Sequence, residues 1–507
     1  MAQRERQGRR PQAGAGCKGK RVFIGIDIGT SGVKTVLVSE EGRVIGAQTS
    51  PLTVQRPEPG WSEQDPDAWW QAMLATMDGL KAAHPAEVAA TRGIALSGQM
   101  HGATLLDKDG GVLRPCILWN DGRSAAECAE LEAACPELHA IAGNLAMPGF
   151  TAPKLLWIRK HEPDIFARTA HVLLPKAYVR YKMTGDMIEE MSDASGTLWL
   201  DVGARRWSET VLAATGLDIS HMPRLVEGAE ASGTLSSVLT RRWGMTAAPV
   251  IAGGAGDNAA AAVGLGAIAP GSAFLSLGTS GVLWVTTDRF LPDPASAVHA
   301  FCHAVPNTWH QMGVMLSAAS ALSWYGHLVG ESEASLLAAL GESVPAPSPV
   351  MFLPYLSGER TPLNDVHARG AFLGLAHEHD RRVLTQAVLE GVAFATRSCQ
   401  QVLEAAGSRM EGIDLVGGGS RSSLWAAIMA NVLGIPVHRV EDGEVGGAFG
   451  AARLAHIAAT GLPPAEICPP ARRLRSFEPD PALVDAYASA FARWQRYYPL
   501  LRQAEIA

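Results

Sequence analysis

The chain has 507 residues, 47% of them apolar, and a formal net charge of −7. The charge argues against a nucleic-acid partner, and the apolar share is ample for sizeable cores. Seven cysteines show no CxxC pair and no zinc spacing, which fits free thiols in a reducing, cytoplasmic setting. No strongly apolar stretch of roughly 18 charge-free residues has the flanks expected of a membrane span. Ile251 to Ala269 comes nearest, but it contains Asp257. Residues 1–21 are rich in Lys and Arg and lack the apolar core of a secretion signal. They are expected to form a disordered basic tail.

In chain order, an apolar run from Val22 to Ile28 meets Gly29-Thr30-Ser31-Gly32-Val33 and continues to Val38. That pattern predicts a strand, a tight glycine turn and a second strand. Glycines let a ligand approach the backbone, and Gly29, Thr30 and Ser31 offer N–H and hydroxyl donors that can cradle a polyphosphate. Asp27 ends the first strand. A buried carboxylate there needs a partner, and Mg²⁺, which prefers oxygen ligands, would serve.

Further along, Arg43 to Thr49 reads as a third strand and 55–65 as a loop. Asp65-Pro66 opens a helix to about residue 82. Arg92 to Leu96 is a strand that runs into Gln99, Met100 and His101. Ligands of open α/β sheets gather outside the carboxyl ends of strands, so these three are candidates to touch a small substrate. Residues 148–154 read as a loop before a helix from Leu155 to His161. Segments 173–176 and 191–196 are further polar strand-end candidates to line a sugar pocket, and 352–362 reads as a polar loop at the cleft.

A strand at Val250 to Ala252 then meets a glycine-rich turn and a helix of small residues beginning at Asp257-Asn258. Asp257 can cap that helix or act as a general base. Residues near 264–272 form the boundary into a second half, where the opening pentapeptide recurs as Gly278-Thr279-Ser280-Gly281-Val282. Two copies at like places predict two similar subdomains facing one anionic ligand across a cleft. Residues 380–405 read as one long helix. Ile413 to Val416 is a strand ending in Gly417-Gly418-Gly419-Ser420, bare backbone against which a flat base such as adenine can lie. Gly446 begins a tightly packed helix.

Over about residues 22–500 the chain resembles the FGGY family of sugar kinases. The resemblance rests on Ile26-Asp27-Ile28-Gly29-Thr30-Ser31-Gly32-Val33-Lys34, Trp61 to Pro66, Gly98-Gln99-Met100-His101-Gly102, Leu118 to Arg123, Gly256-Asp257-Asn258-Ala259-Ala260, Ser276 to Gly281 and Tyr355 to Pro362. The Gln-Met-His-Gly segment is similar to that of the family's xylulose-phosphorylating members. The resemblance implies an α/β fold of two duplicated actin/hexokinase-like (ribonuclease H-like) ATPase domains with a cleft between them. The first would span 22–266 and the second 267–500.

The implied activity is ATP- and Mg²⁺-dependent phosphorylation of D-xylulose at O5. Asp257 would be the base. Met100, His101, Asn258 and Gln99 would contact the sugar, and Asp27 would sit near Mg²⁺. Gly29, Thr30, Ser31 and Lys34 would meet nucleotide from one side, and Gly278, Thr279 and Ser280 from the other. Gly418, Gly419 and Ser420 would lie at the adenosine. The implied partner is a small sugar, with neither nucleic acid nor membrane and with a homodimer left open. Ala255 departs from the pattern by interrupting the glycine run before Asp257, which leaves that turn's geometry open. A ribulokinase, gluconokinase or glycerol kinase would share the phosphate motifs. An actin- or Hsp70-like ATPase would need a polymer surface or a peptide-binding domain.

Overall fold

In this computed structural model, residues 21–441 and 446–506 are described. The expected tail therefore lies, apart from Arg21, outside them. The first half builds a seven-stranded sheet from β1 (Val22–Ile28), β2 (Gly32–Ser39), β3 (Val44–Pro51), β4 (Thr91–Gly98), β5 (Ala231–Thr234), β6 (Val250–Ala252) and β7 (Ala255–Gly256). Its order is β3-β2-β1-β4-β6-β5, with β7 also paired to β4. The second half builds another from β8 (Ala273–Leu277), β9 (Gly281–Thr287), β10 (His299–Cys302), β11 (Trp309–Met315), β12 (Ile413–Val416), β13 (Val437–Val440) and β14 (Arg473–Phe477). Its order is β10-β11-β9-β8-β12-β13-β14.

The duplication is visible in the pairing. Strands β3, β2 and β1 are successively antiparallel, β1, β4 and β6 are parallel, and β5 is antiparallel to β6. Strands β11, β9, β8, β12, β13 and β14 repeat that sequence of directions. Both pentapeptides form the expected hairpin turns, closed by Ile28↔Val33 and Leu277↔Gly281.

Strand alternation decides what covers each face. Ile24, Ile26 and Ile28 pack with Trp69, Met73 and Met77 of α1 (Pro66–Ala83). Asp65 caps that helix by accepting from Asp67 N–H. Phe23 and Gly25 face the other way, toward α4 (Gly446–Thr460). There a Cβ on Gly25 would overlap the Ala448 carbonyl oxygen. Helix α4 follows the second half in sequence yet lies on the first sheet and against α2 (Asp257–Leu265). Gly450 permits that contact, because its Cβ would overlap the Ala260 carbonyl. In the second sheet Leu275, Leu283 and Val285 pack with Val388 and Val392 of α3 (Arg381–Ala405). Phe274 and Trp284 join Ala260, Val263, Ala451 and Leu454 in a cluster that spans both halves. Each fully buried apolar side chain contributes about 1.5–3 kcal/mol, so this shared core ties the two lobes together beneath their glycine turns.

Two expectations are corrected. The helix expected from Leu155 starts at Thr151, so 151–154 is not loop. Pro153 lies in the first turn, where its missing N–H is no loss. Segments 173–176 and 191–196 are buried and mostly helical rather than strand ends: Pro175 opens a helix to Thr184, and Met191–Ser195 is a short helix. All six cysteines among the described residues are buried and unpaired. No helix among them is long and apolar enough to cross a membrane.

Candidate active site

Asp27 lies at the carboxyl end of β1, opposite Lys34 on β2 and beside Ser97 on β4. Ser97 donates to its Oδ1 at 2.9 Å. Burial raises the Asp27 pKa, opposed by that hydrogen bond and by the Lys34 charge. Gly447, in the first turn of α4, adds backbone close by, where a Cβ would come within 3.0 Å of the same carboxylate oxygen.

The register Gly98↔Gly256 brings the turn after β4 beside the start of α2. Asp257 is the first residue of α2. One of its oxygens accepts from Asn258 N–H at 2.7 Å and from the Asn258 amide at 3.1 Å. Burial first, then repulsion from Asp27, push the Asp257 pKa up to about 7. The arrangement therefore holds two carboxylates near each other at strand ends, one of them poised to exchange a proton near neutrality.

The interrupted glycine run is accommodated without distortion. Gly254 takes a left-handed φ of 82°, and a Cβ there would overlap the Leu96 carbonyl. Ala255 sits fully buried within β7, paired with Ser97 of β4.

Met100 and His101 continue from β4 along one wall. A Cβ on Gly256 would meet Met100 Sδ at 3.0 Å, and one on Gly196 would meet Met100 Cε at 2.9 Å and His101 Nδ1 at 2.6 Å. His101 is a non-glycine residue at φ 71°, a conformation that costs energy and is usually held by its surroundings. Here Lys154 Nζ at 2.9 Å and Thr151 Oγ1 at 3.1 Å donate to its carbonyl. Its Nδ1 lies 2.6 Å from the Gly196 carbonyl. A carbonyl can only accept, so the proton is on Nδ1 and Nε2 offers a lone pair. Burial lowers the His101 pKa to about 3, so the ring is neutral.

Gln99 differs from its neighbours. It is buried, its Oε1 accepts from Thr30 Oγ1 at 3.0 Å and its amide donates to Gln64 at 3.0 Å. Thr30 Oγ1 also accepts from Trp119 Nε1 at 3.0 Å. These two side chains brace the first glycine turn, while exposed Ser31 leaves its hydroxyl outward. Trp119, Gln64, Ser97 and Lys154 were not singled out by sequence reasoning. Each acts through a partner about 35 to 90 residues away, and no local pattern marks such pairs.

In the second lobe, Thr279 and Ser280 are exposed at the turn tip. The turn is anchored by Ala318 N–H to the Thr279 carbonyl at 3.0 Å and by Ala319 N–H to the Gly278 carbonyl at 2.7 Å. The register Ser276↔Val416 sets Gly417–Ser420 alongside it. Gly418 is open backbone with nothing near its missing Cβ. Gly419 is buried against Leu277, and Ser420 donates back to the Gly417 carbonyl at 2.7 Å.

Duplicated sheets of this order, each ending in a glycine turn, define the class of two-lobed ATPase-fold kinases related to actin and hexokinase. Models of the FGGY family of carbohydrate kinases match, the N-terminal domain over residues 22–264 and the C-terminal domain over 273–459. The chain is 50% identical to the xylulose kinase of Escherichia coli strain K12, over 95% of this chain and 99% of that one. A crystal structure of a Brucella ovis kinase titled "xyloylose kinase" superposes with a TM-score of 0.93 at 56% identity, covering 95% of this chain and 100% of that one. The xylulose kinase of Rhodospirillum rubrum superposes at 0.89 with 31% identity, covering 95% and 99%. This chain belongs to the FGGY family of carbohydrate kinases.

Proposed function

We propose that this protein transfers the γ-phosphoryl group of ATP to O5 of D-xylulose, giving D-xylulose 5-phosphate and ADP, in the cytoplasm. The carrying observation is Asp257, with a pKa of about 7, beside Asp27 at the strand ends. The xylulose kinase relatives supply the sugar's identity. Phosphoryl transfer asks mainly for positioning and charge stabilisation. Asp257 takes the proton as the sugar oxygen attacks phosphorus in line and the bond to ADP breaks. Met100, His101 and Asn258 hold the sugar. Gln99 serves the sugar from behind, through the Thr30 turn.

The N–H groups of Gly29, Thr30 and Ser31, with Lys34, meet the phosphates from the first lobe, and Gly278, Thr279 and Ser280 meet them from the second. Gly418 gives the adenosine its bare backbone, with Gly419 and Ser420 shaping that turn. The donor set at Asp27 is a carboxylate oxygen among hydroxyl and backbone groups, which fits a hard cation that keeps several waters. Asp27 would hold Mg²⁺, and the ion would neutralise charge on the phosphate oxygens. The division into domains 22–266 and 267–500 follows this scheme, with α4 lying on the first lobe's sheet.

The test is ADP release with ATP and Mg²⁺ over D-xylulose, D-ribulose, gluconate and glycerol. D-Xylulose should give the highest kcat/KM by at least tenfold. A higher value for any other sugar would replace the substrate, and no sugar-dependent release would remove the proposal.

A further inference from the structure

The proposed site leaves one cation unused. Arg360 belongs to the second lobe, in the segment between the long helix α3 and the strand Trp309–Met315. Its backbone is clamped. Leu316 N–H and its own N–H donate to the Glu359 carboxylate at 2.9 and 2.7 Å. The next residue, Thr361, accepts from Val314 N–H at 3.0 Å and donates to the Ala297 carbonyl at 2.9 Å. The guanidinium is different. Among the described residues it makes no hydrogen bond and no ion pair, although it is largely buried. A desolvated arginine without a partner is costly to keep.

Its surroundings place it at the junction of the lobes. Ala297, bonded to Thr361, is two residues before His299. The His299 ring lies 5.8 Å from Phe150, and Phe150 lies 4.7 Å from His101 of the first lobe. Phe301 closes the group at 5.7 Å from His299 and 6.4 Å from His101. Burial lowers the pKa of both imidazoles, and the Arg360 charge adds to it in each. The wall thus runs from Asp257 through Gly256 and Met100, past Gly196 to His101, and the segment carrying Arg360 joins it from the second lobe through Thr361, Ala297 and the pair of His299 and Phe150.

We propose that Arg360 is a specificity-determining residue that donates to the carbonyl end of the open-chain ketose whose far hydroxyl meets Asp257. This rests on the sugar-kinase reading above. A guanidinium only donates, in a fixed fork, and a ketone oxygen only accepts. His101 supplies the opposite capacity, a lone pair for a neighbouring hydroxyl. The ketone with its adjacent hydroxyl therefore fits this pair. The corresponding pentitol has a hydroxyl in place of the ketone, so it brings an extra proton that the guanidinium cannot accept and that competes with the neighbouring hydroxyl for the single His101 lone pair. Leaving a buried polar group unmatched is how such sites discriminate. Because Arg360 and His101 come from different lobes, the sugar would also bridge them.

The experiment compares wild type, R360M and R360K with D-xylulose and with its 2-alcohols, xylitol and D-arabitol, in the ADP-release assay. Melting curves establish that each variant is folded. R360M is expected to raise KM for D-xylulose by about 10- to 100-fold with a much smaller change in kcat. It should also shrink the ketose-over-pentitol ratio of kcat/KM by at least tenfold, with R360K intermediate. If R360M does not fold, the same ratio is read from R360K. A ratio unchanged within twofold in the folded variant, while wild type phosphorylates D-xylulose, overturns this inference alone. Absence of ketose phosphorylation by wild type overturns the function and this inference together.

Discussion

Two groups of carboxylates lie in the first lobe, linked through a hydrogen bond between Gly256 and Ser192, and they are built in opposite ways. Glu189, Glu190 and Asp193 surround a fully buried Lys176, whose ammonium lies 2.6, 3.4 and 3.3 Å from their oxygens. Arg180 adds a second buried charge, donating to the Gly253 carbonyl at 2.6 Å and to that of Ile188. Asp193 has its pKa raised well above the usual range, first by burial. The lysine occupies the centre where these three acids could otherwise hold a metal ion. The cluster is therefore neutralised from within and faces no ligand. It braces the site instead: Ser192, bonded to Glu190, accepts from Gly256 N–H at 3.0 Å, directly before Asp257.

Asp27 and Asp257 have no such internal cation. Lys34 acts on Asp27 only at a distance, against burial, and after burial it is Asp27 that makes Asp257 harder to ionise. Acids balanced by their own chain hold structure, whereas acids left unbalanced at strand ends are available for a ligand's charge and a substrate's proton.

Three substitutions sharpen that contrast. D257A should lower kcat by about 10²–10⁴-fold, the usual contribution of a general base, while calorimetry still registers ATP binding. Near-normal turnover would take Asp257 out of the role. K176M removes the ammonium and strands the buried acids. It should cost about 3–5 kcal/mol of stability, seen as a marked fall in the thermal midpoint. An unchanged midpoint would mean that the cluster carries no structural load.

The smallest effect concerns pH. Asp257 must be ionised to accept a proton, so activity should rise with pH through about 7. In D27N the neighbouring negative charge is gone, the ionised form of Asp257 is favoured, and its pKa falls. The acid limb of kcat/KM should move to lower pH, on top of any loss in rate. A limb that stays in place would show that Asp27 does not act on Asp257.

The hairpins around both glycine turns, the helix at Pro66 and the strand before Gly417 were legible because each is set by neighbours in sequence: apolar alternation, a turn, a cap. The positions of Asp27, Asp257, Met100 and His101 at or just after strand ends were legible, because each stands at the end of an apolar run or a glycine turn. Arg360 stood in a motif, but nothing local says that its guanidinium lacks a partner. Lys176 and Asp193 read as members of two polar segments and Glu189 and Glu190 as nothing in particular, because their mutual neutralisation appears only when the chain folds.

The amino-acid order alone determined two repeats of one hairpin, their glycine turns and the acids at the strand ends, since these depend on contacts within a few residues. Only the tertiary structure decided that α4 crosses to the first sheet. That contact joins Gly25 to Ala448 and Gly450 to Ala260, pairs separated by hundreds of residues, where close backbone approach rather than any local preference selects the small side chain. The same packing decided which buried charges are satisfied by the chain itself and which are left for a ligand.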